Sequence, residues 1–167
     1  MRNSPTPETT VAALMRTDVP IVSPDASIAS VAQIMAWSGL PGVPVVADGT
    51  IVGIVTETDL IARQADVEAP TVLPILDALF VADGGRDYEE DLRHVLAVTA
   101  GELMTAPVFN IRASATLEQV ATLMIDEHVN PVPVVDDDFN LVGIVTRADI
   151  VRLIARLEQG TDSAVDE

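Results

Sequence analysis

Residues 51–59 read Ile-Val-Gly-Ile-Val-Thr-Glu-Thr-Asp, and residues 141–149 read Leu-Val-Gly-Ile-Val-Thr-Arg-Ala-Asp. Each is a short β-branched run closed by Thr56 or Thr146 and followed three positions on by Asp59 or Asp149, the pattern of a buried strand feeding a helix N-terminus. Unpaired backbone N–H groups and the positive end of the helix dipole collect at such a junction, and the Thr hydroxyl and Asp carboxylate add a donor-acceptor and a strong acceptor. A phosphate suits the N–H groups and a ribose diol suits the carboxylate.

The repetition extends well beyond this junction. Leu14 and Met15 return as Leu103 and Met104, Val31 and Ala32 as Val120 and Ala121, and Val43-Pro44-Val45-Val46 as Val132-Pro133-Val134-Val135, all 89 residues on, whereas Gly53 returns as Gly143, 90 residues on. The extra residue falls in a turn, residues 47–50 in the first copy and 136–140 in the second, where a duplicated fold tolerates insertion.

A Leu-Met lead-in, a strand, a capped helix, a Val-Pro-Val-Val run, a hairpin and then Gly-Ile-Val-Thr-x-x-Asp together resemble the cystathionine-β-synthase (CBS) domain, and two in tandem resemble a Bateman module. The resemblance covers roughly residues 10–65 and 99–158; it leaves out tails at 1–9 and 159–167 and an insert at 66–98. It implies an α/β fold of two pseudo-twofold-related β-α-β-β-α repeats packed into one module, with a helical insert between them. It also implies an adenosyl ligand, an adenine nucleotide or S-adenosylmethionine, in a cleft between the copies. Asp59 and Asp149 would accept from the ribose hydroxyls, and Thr56 and Thr146 would hold the α-phosphate or ribose edge. Backbone at Val43-Pro44 and Val132-Pro133, with the lead-in residues Thr17 to Val19 and Ala106 to Val108, would line the adenine slot. The family commonly forms flat dimers, so homodimerisation is implied too.

Capping alone explains a single Thr-x-x-Asp, but the same Thr-x-x-Asp pattern after Gly-Ile-Val twice favours binding. The residue after each Thr differs in sign, Glu57 against Arg147, and an Arg can pair with a phosphate bidentately, so the second site is expected to be the better nucleotide site. His128, just ahead of Val132-Pro133, lies where a phosphate contact is conceivable, although a lone His is more often a surface residue.

Composition narrows the function classes. The 167 residues carry a net charge of -17, and all nine basic residues are Arg. Phosphate-backbone binding needs a basic face, so nucleic acid is excluded as a direct partner. Hydrophobic content of 49% with only 3% aromatic points to a packed aliphatic core. No apolar run approaches the roughly 18–20 residues of a membrane span and no apolar signal core follows Met1, which leads us to expect a cytoplasmic protein. The Lys-free, Ala/Val/Asp-rich usage would suit a GC-rich bacterial genome. With no Cys and two distant His residues, neither a thiolate nucleophile nor a zinc site is expected, and the Asp136-Asp137-Asp138 run lacks the ligand spacing of a calcium loop. No nucleophile and base arrangement is apparent, and the chain is not expected to be an enzyme. It is expected to act as a sensor whose regulated partner is another protein; the rival is a structural or dimerisation module.

In order, residues 1–9 read as a flexible tail, Val11 to Met15 as a short helix or turn, and Val19 to Val22 as an edge strand. Ser27 caps a helix that Gly39 stops, and Asp48-Gly49 turns a hairpin between Val43–Val46 and Ile51–Val55. Thr56 caps a helix to about Gln64. Thr71 to Val81 reads as a buried helix with Pro74 in its first turn, and Arg86 to Val98 as an amphipathic one. An insert this apolar must be covered, either by its own module or by a dimer partner. The second copy repeats the scheme, with a strand at Val108 to Ile111, a capping box at Thr116 to Gln119, and a last helix after Thr146. From Gly160 the chain reads as an acidic tail.

Overall fold

The structure, a computed structural model, describes residues 9–64, 71–75, 78–82 and 97–162. A 3-10 turn at Val11–Ala13 leads to helix α1 (Ile28–Ser38), strands β1 (Gly42–Ala47) and β2 (Thr50–Thr56), and α2 (Glu57–Ala62). Strands β3 (Thr71–Ile75) and β4 (Ala78–Ala82) follow. The second copy supplies α3 (Ala100–Leu103), β5 (Ile111–Arg112), α4 (Leu117–Asp126), β6 (Val132–Val135), β7 (Leu141–Val145) and α5 (Arg147–Asp162).

Local chemistry sets most boundaries. The Ser27 hydroxyl accepts from Ser30 N–H at the start of α1, and Gly39 ends it in the left-handed region at φ 66°, which glycine adopts at no steric cost. Asp48 and Gly49 have φ of 50° and 81°, the paired positive values of a tight hairpin turn. At the second tip Asp136 takes the N–H groups of Asp138 and Asn140, both at 2.9 Å, so its carboxylate closes the turn. Thr116 and Gln119 form the expected capping box.

Four expectations are corrected. The first-copy edge strand is reduced to one parallel bridge between Val22 and Val45, because Pro20 and Pro24 on either side have no N–H to extend a ladder. Its second-copy counterpart is β5, parallel to β6, beginning at Ile111 and leaving Val108 outside the ladder. Residues 71–75 and 78–82 pair as antiparallel strands, Thr71 with Ala82 and Ile75 with Ala78, where a helix was anticipated; an apolar run of this kind has no period to separate strand from helix. Helix α5 continues to Asp162, through the start of the anticipated tail. The amphipathic helix expected at 86–98 falls almost wholly outside the described residues, as does the N-terminal tail.

The β1–β2 sheet and the β5–β6–β7 sheet each close a core, one around Val31, Met35, Val43, Val45 and Val55 and one around Val120, Met124, Val132, Val134 and Val145. The lead-in segments are exchanged between them. Val11 belongs to the second core, and its N–H donates to Ala115 O at 2.8 Å, while Arg16 and Ile144 exchange two backbone bonds of 2.9 Å. Reciprocally, Ala97, Ala100 and Leu103 belong to the first core, and Ile54 and Thr105 exchange bonds of 3.1 and 2.8 Å. The glycine of each Gly-Ile-Val-Thr motif makes room for the other copy's lead-in methionine. A Cβ on Gly143 would lie 2.7 Å from Met15 Sδ, and one on Gly53 would collide with Met104. At the pseudo-twofold axis Gly42 faces its own counterpart, Pro131, whose Cδ would sit 2.7 Å from an added Cβ.

Candidate functional site

Both Thr-x-x-Asp motifs fold as reciprocal caps. Thr56 N–H and Oγ1–H donate to Asp59 Oδ2 at 2.7 and 2.8 Å, and Asp59 N–H returns to Thr56 Oγ1 at 3.4 Å. In the second copy Thr146 N–H and Oγ1–H donate to Asp149 Oδ2, both at 2.8 Å. Asp149 Oδ1 then takes Arg152 Nη1 at 2.7 Å. The two carboxylates are 7% and 8% exposed, and a carboxylate is kept this far from water only where such donors meet it. Helix α2 has just six residues, so any phosphate there would depend on side chains more than on a dipole.

A cavity of about 260 Å³ opens at the first pair. One wall is Ile54, Thr56, Thr58 and Asp59; the opposite wall is contributed by the second copy, through Thr105 and Pro107 to Phe109 and through His128 to Pro131. The exchange of lead-in segments brings these walls together, since Thr105 is hydrogen-bonded to Ile54 across them. Apolar faces from Ile54, Val108, Phe109 and Val129 thus meet polar groups from Thr56, Thr58, Asp59 and Asn130, the mixture that orients a small ligand.

Of the residues singled out from sequence, Thr56, Asp59 and Val108 converge on this cleft, with Ala106 exposed beside it and not on its wall. Val43, Pro44, Val132 and Pro133 are buried in β1 and β6, and the residues just ahead of β6 form the cleft wall instead. Thr17 and Val19 line a separate cavity of about 260 Å³ with Ile21, Val46, Gly49 and residues 140–143. Thr146 and Asp149 are buried as a pair. Arg147 does not reach over that pair: its Nη2 donates to Met124 O at 3.2 Å, at the C-terminal end of α4 where a cation is favoured. His128 does stand on the first cleft, at φ 57°. Thr58, Thr105, Phe109 and Asn130 were not singled out. For Asn130 a signal existed, because its counterpart 89 residues earlier is Pro41.

A family model described as the CBS domain matches residues 11–66 and 100–156. The uncharacterised protein MJ1426 of Methanocaldococcus jannaschii is 29% identical over 142 residues, which cover 80% of this chain and 84% of that one. Among solved structures, CBSX2 of Arabidopsis thaliana in complex with AMP superposes with a TM-score of 0.66 at 26% identity, over 89% of this chain and 98% of that one. The present chain spans 64% of full-length chloroplastic CBSX2. The CBS domain pair of MJ0100, in complex with 5'-methylthioadenosine and S-adenosyl-L-methionine, gives a TM-score of 0.63 at 27% identity, over 87% and 99% of the two chains. Two matched copies, reciprocal lead-in segments and an inter-repeat cleft identify the chain as a member of the CBS domain family, built as a tandem pair.

Proposed function

We propose that this chain is a regulatory CBS pair that binds an adenosyl ligand in the first inter-repeat cleft and signals by shifting a conformational or assembly equilibrium of another protein. The observation that carries the reading is the cavity at Thr56 and Asp59 whose far wall belongs to the other repeat: an occupant would touch both halves and so report on their relative placement. AMP in the CBSX2 structure, and 5'-methylthioadenosine with S-adenosyl-L-methionine in that of MJ0100, support the ligand class.

A volume of about 260 Å³ lies at the lower edge of the roughly 300–1,000 Å³ typical of small-molecule sites. It suits a nucleoside with a short tail. Among the lining residues His128 is the one basic side chain, facing Asp59 with Glu57 adjoining, so added phosphates gain little. The order is AMP or an uncharged-tail adenosyl ligand over ADP over ATP without magnesium, and magnesium narrows the gap. No catalytic step is assigned. The working form is a homodimer, supported by the exposed face of α1: Ala29, Ser30, Gln33, Ala36 and Trp37 carry no charge, and Trp37 is 83% exposed, in a chain of net charge -17. The competing structural-module reading draws on the caps, which use each motif without a ligand.

Calorimetry with AMP, ADP, ATP, S-adenosylmethionine and NADH separates the two. Asp59→Ala should weaken AMP by about tenfold to a hundredfold, the loss of roughly 1.5–3 kcal/mol expected for a charged hydrogen bond, and Asp149→Ala by less. Absence of binding to every compound would favour the structural module.

A further inference from the structure

Asn130 stands between the two Thr-Asp pairs. It lines the first cleft with Thr56, Thr58 and Asp59, and its Oδ1 accepts the Arg147 N–H at 3.0 Å. That N–H is the first of α5, the helix carrying Asp149, and is one of the donors a helix N-terminus leaves unsatisfied. The first copy solves the same problem differently: Glu57 N–H donates to the backbone oxygen of Pro41 at 2.9 Å. The two junctions are alike in backbone and unlike in chemistry, because Pro41 offers no side-chain donor and Asn130 offers one.

We propose that Asn130 donates to the ligand of the first cleft and, through the Arg147 N–H it holds, ties occupancy of that cleft to α5 and the second Thr-Asp pair; this rests on the adenosyl-ligand reading above. With Oδ1 committed to an N–H, the orientation of the amide is fixed, and Nδ2 is what remains. No partner for Nδ2 is found among the described residues. The ligand group it fits is an acceptor: a ring nitrogen, a ribose oxygen or a phosphate oxygen. Drawing the amide toward such an acceptor moves the cap of α5, and α5 is anchored at the same end by the Thr146 and Asp149 cap and by Arg147 on Met124 O. The cleft formed with the first pair thereby acts on the second pair through one side chain, which gives the coupling a physical carrier.

The test uses the full chain, with AMP and adenosine as probes by calorimetry and the Arg147 and Ala148 amides followed by hydrogen exchange. Asn130→Asp keeps an oxygen for the Arg147 N–H and replaces the donor with an acceptor. It should weaken AMP by about tenfold or more while leaving exchange at Arg147 in the free protein unchanged. A matching loss for adenosine places the acceptor on the nucleoside, and a loss for AMP alone places it on the phosphate. Asn130→Ala should weaken AMP and also speed exchange at Arg147. AMP should alter that exchange in the wild type and leave it unaltered in Asn130→Ala. Wild-type affinity in both Asn130 variants, with binding lost in Asp59→Ala, overturns the role of Asn130 and leaves the cleft reading standing. Wild-type affinity in Asp59→Ala and both Asn130 variants alike overturns the two readings together.

Discussion

Replacing Gly53 with Ala tests the interlock that forms the cleft. All three atoms nearest to the added Cβ belong to the Met104 side chain, with contacts no real methyl could make. Gly53 pairs with Val45 in the interior of β2, so the strand cannot step aside, and overpacking of this sort costs about 1–3 kcal/mol. At a urea dependence of roughly 1–3 kcal/mol per molar, the midpoint should fall by about 1 M. Met104→Ala removes the obstruction at the cost of some packing, and in the double variant the new methyl occupies part of the space vacated. The double variant should then be no less stable than Met104→Ala alone, a coupling of about 1–2 kcal/mol. Gly143→Ala should be rescued less by Met15→Ala, because its Cβ also meets Arg16 O at 3.0 Å, and that oxygen is held by Ile144 N–H at 2.9 Å. Gly53→Ala should also weaken AMP, since the displaced methionine adjoins Thr105 on the cleft wall. Additive effects of Gly53→Ala and Met104→Ala, within about 0.5 kcal/mol, would refute the steric account.

Two further expectations follow from the surface. The Val98 and Thr99 N–H groups hold the Glu102 carboxyl below its ordinary range, and the Asn140 side chain, then the N–H groups of Asn140 and Asp138, do the same for Asp136. A carboxyl lowered by folding adds stability that is present above its unfolded pKa and is lost as pH falls through its folded one, so the melting temperature should drop on acidification below about pH 4, and less so in Glu102→Gln. Trp37→Glu should reduce the sedimentation mass to that of one 17.7 kDa chain with circular dichroism unchanged, since an exposed side chain is not part of the monomer core; an unchanged mass would exclude the α1 face as the dimer contact.

Much of the fold was legible because it is written locally. Ser27, Thr56 and Thr116 cap helices, Asp48-Gly49 turns a hairpin, and Gly39 stops α1, each by chemistry contained within a few residues. Residues 71–82 were not, since an apolar run bounded by turn signals satisfies a buried helix and a buried hairpin alike. The exchange of lead-in segments was illegible for a different reason. Met15 and Met104 are equivalent, as are Gly53 and Gly143, so the pattern is satisfied whether each methionine seats in its own copy or in the other. The site suffered from the same ambiguity. Comparing Glu57 with Arg147 weighed one wall of each cleft, while the opposite wall, with His128 and Asn130, comes from the other half of the chain.

The exchanged lead-in segments also change what the connecting stretch is for. Two beads on a string depend on the string to stay together, and shortening or lengthening it alters their effective concentration. Here each bead is stitched to its neighbour by segments crossing in both directions, from residues 9–16 into the second core and from 97–105 into the first. The halves are therefore held together by packing and backbone hydrogen bonds as well as by the chain that connects them. Neither half is a complete object without the other: a lone repeat would present an unfilled methionine notch beside its glycine, and the surface shaped to fill it is the lead-in of another repeat, whether from the same chain or from a second one.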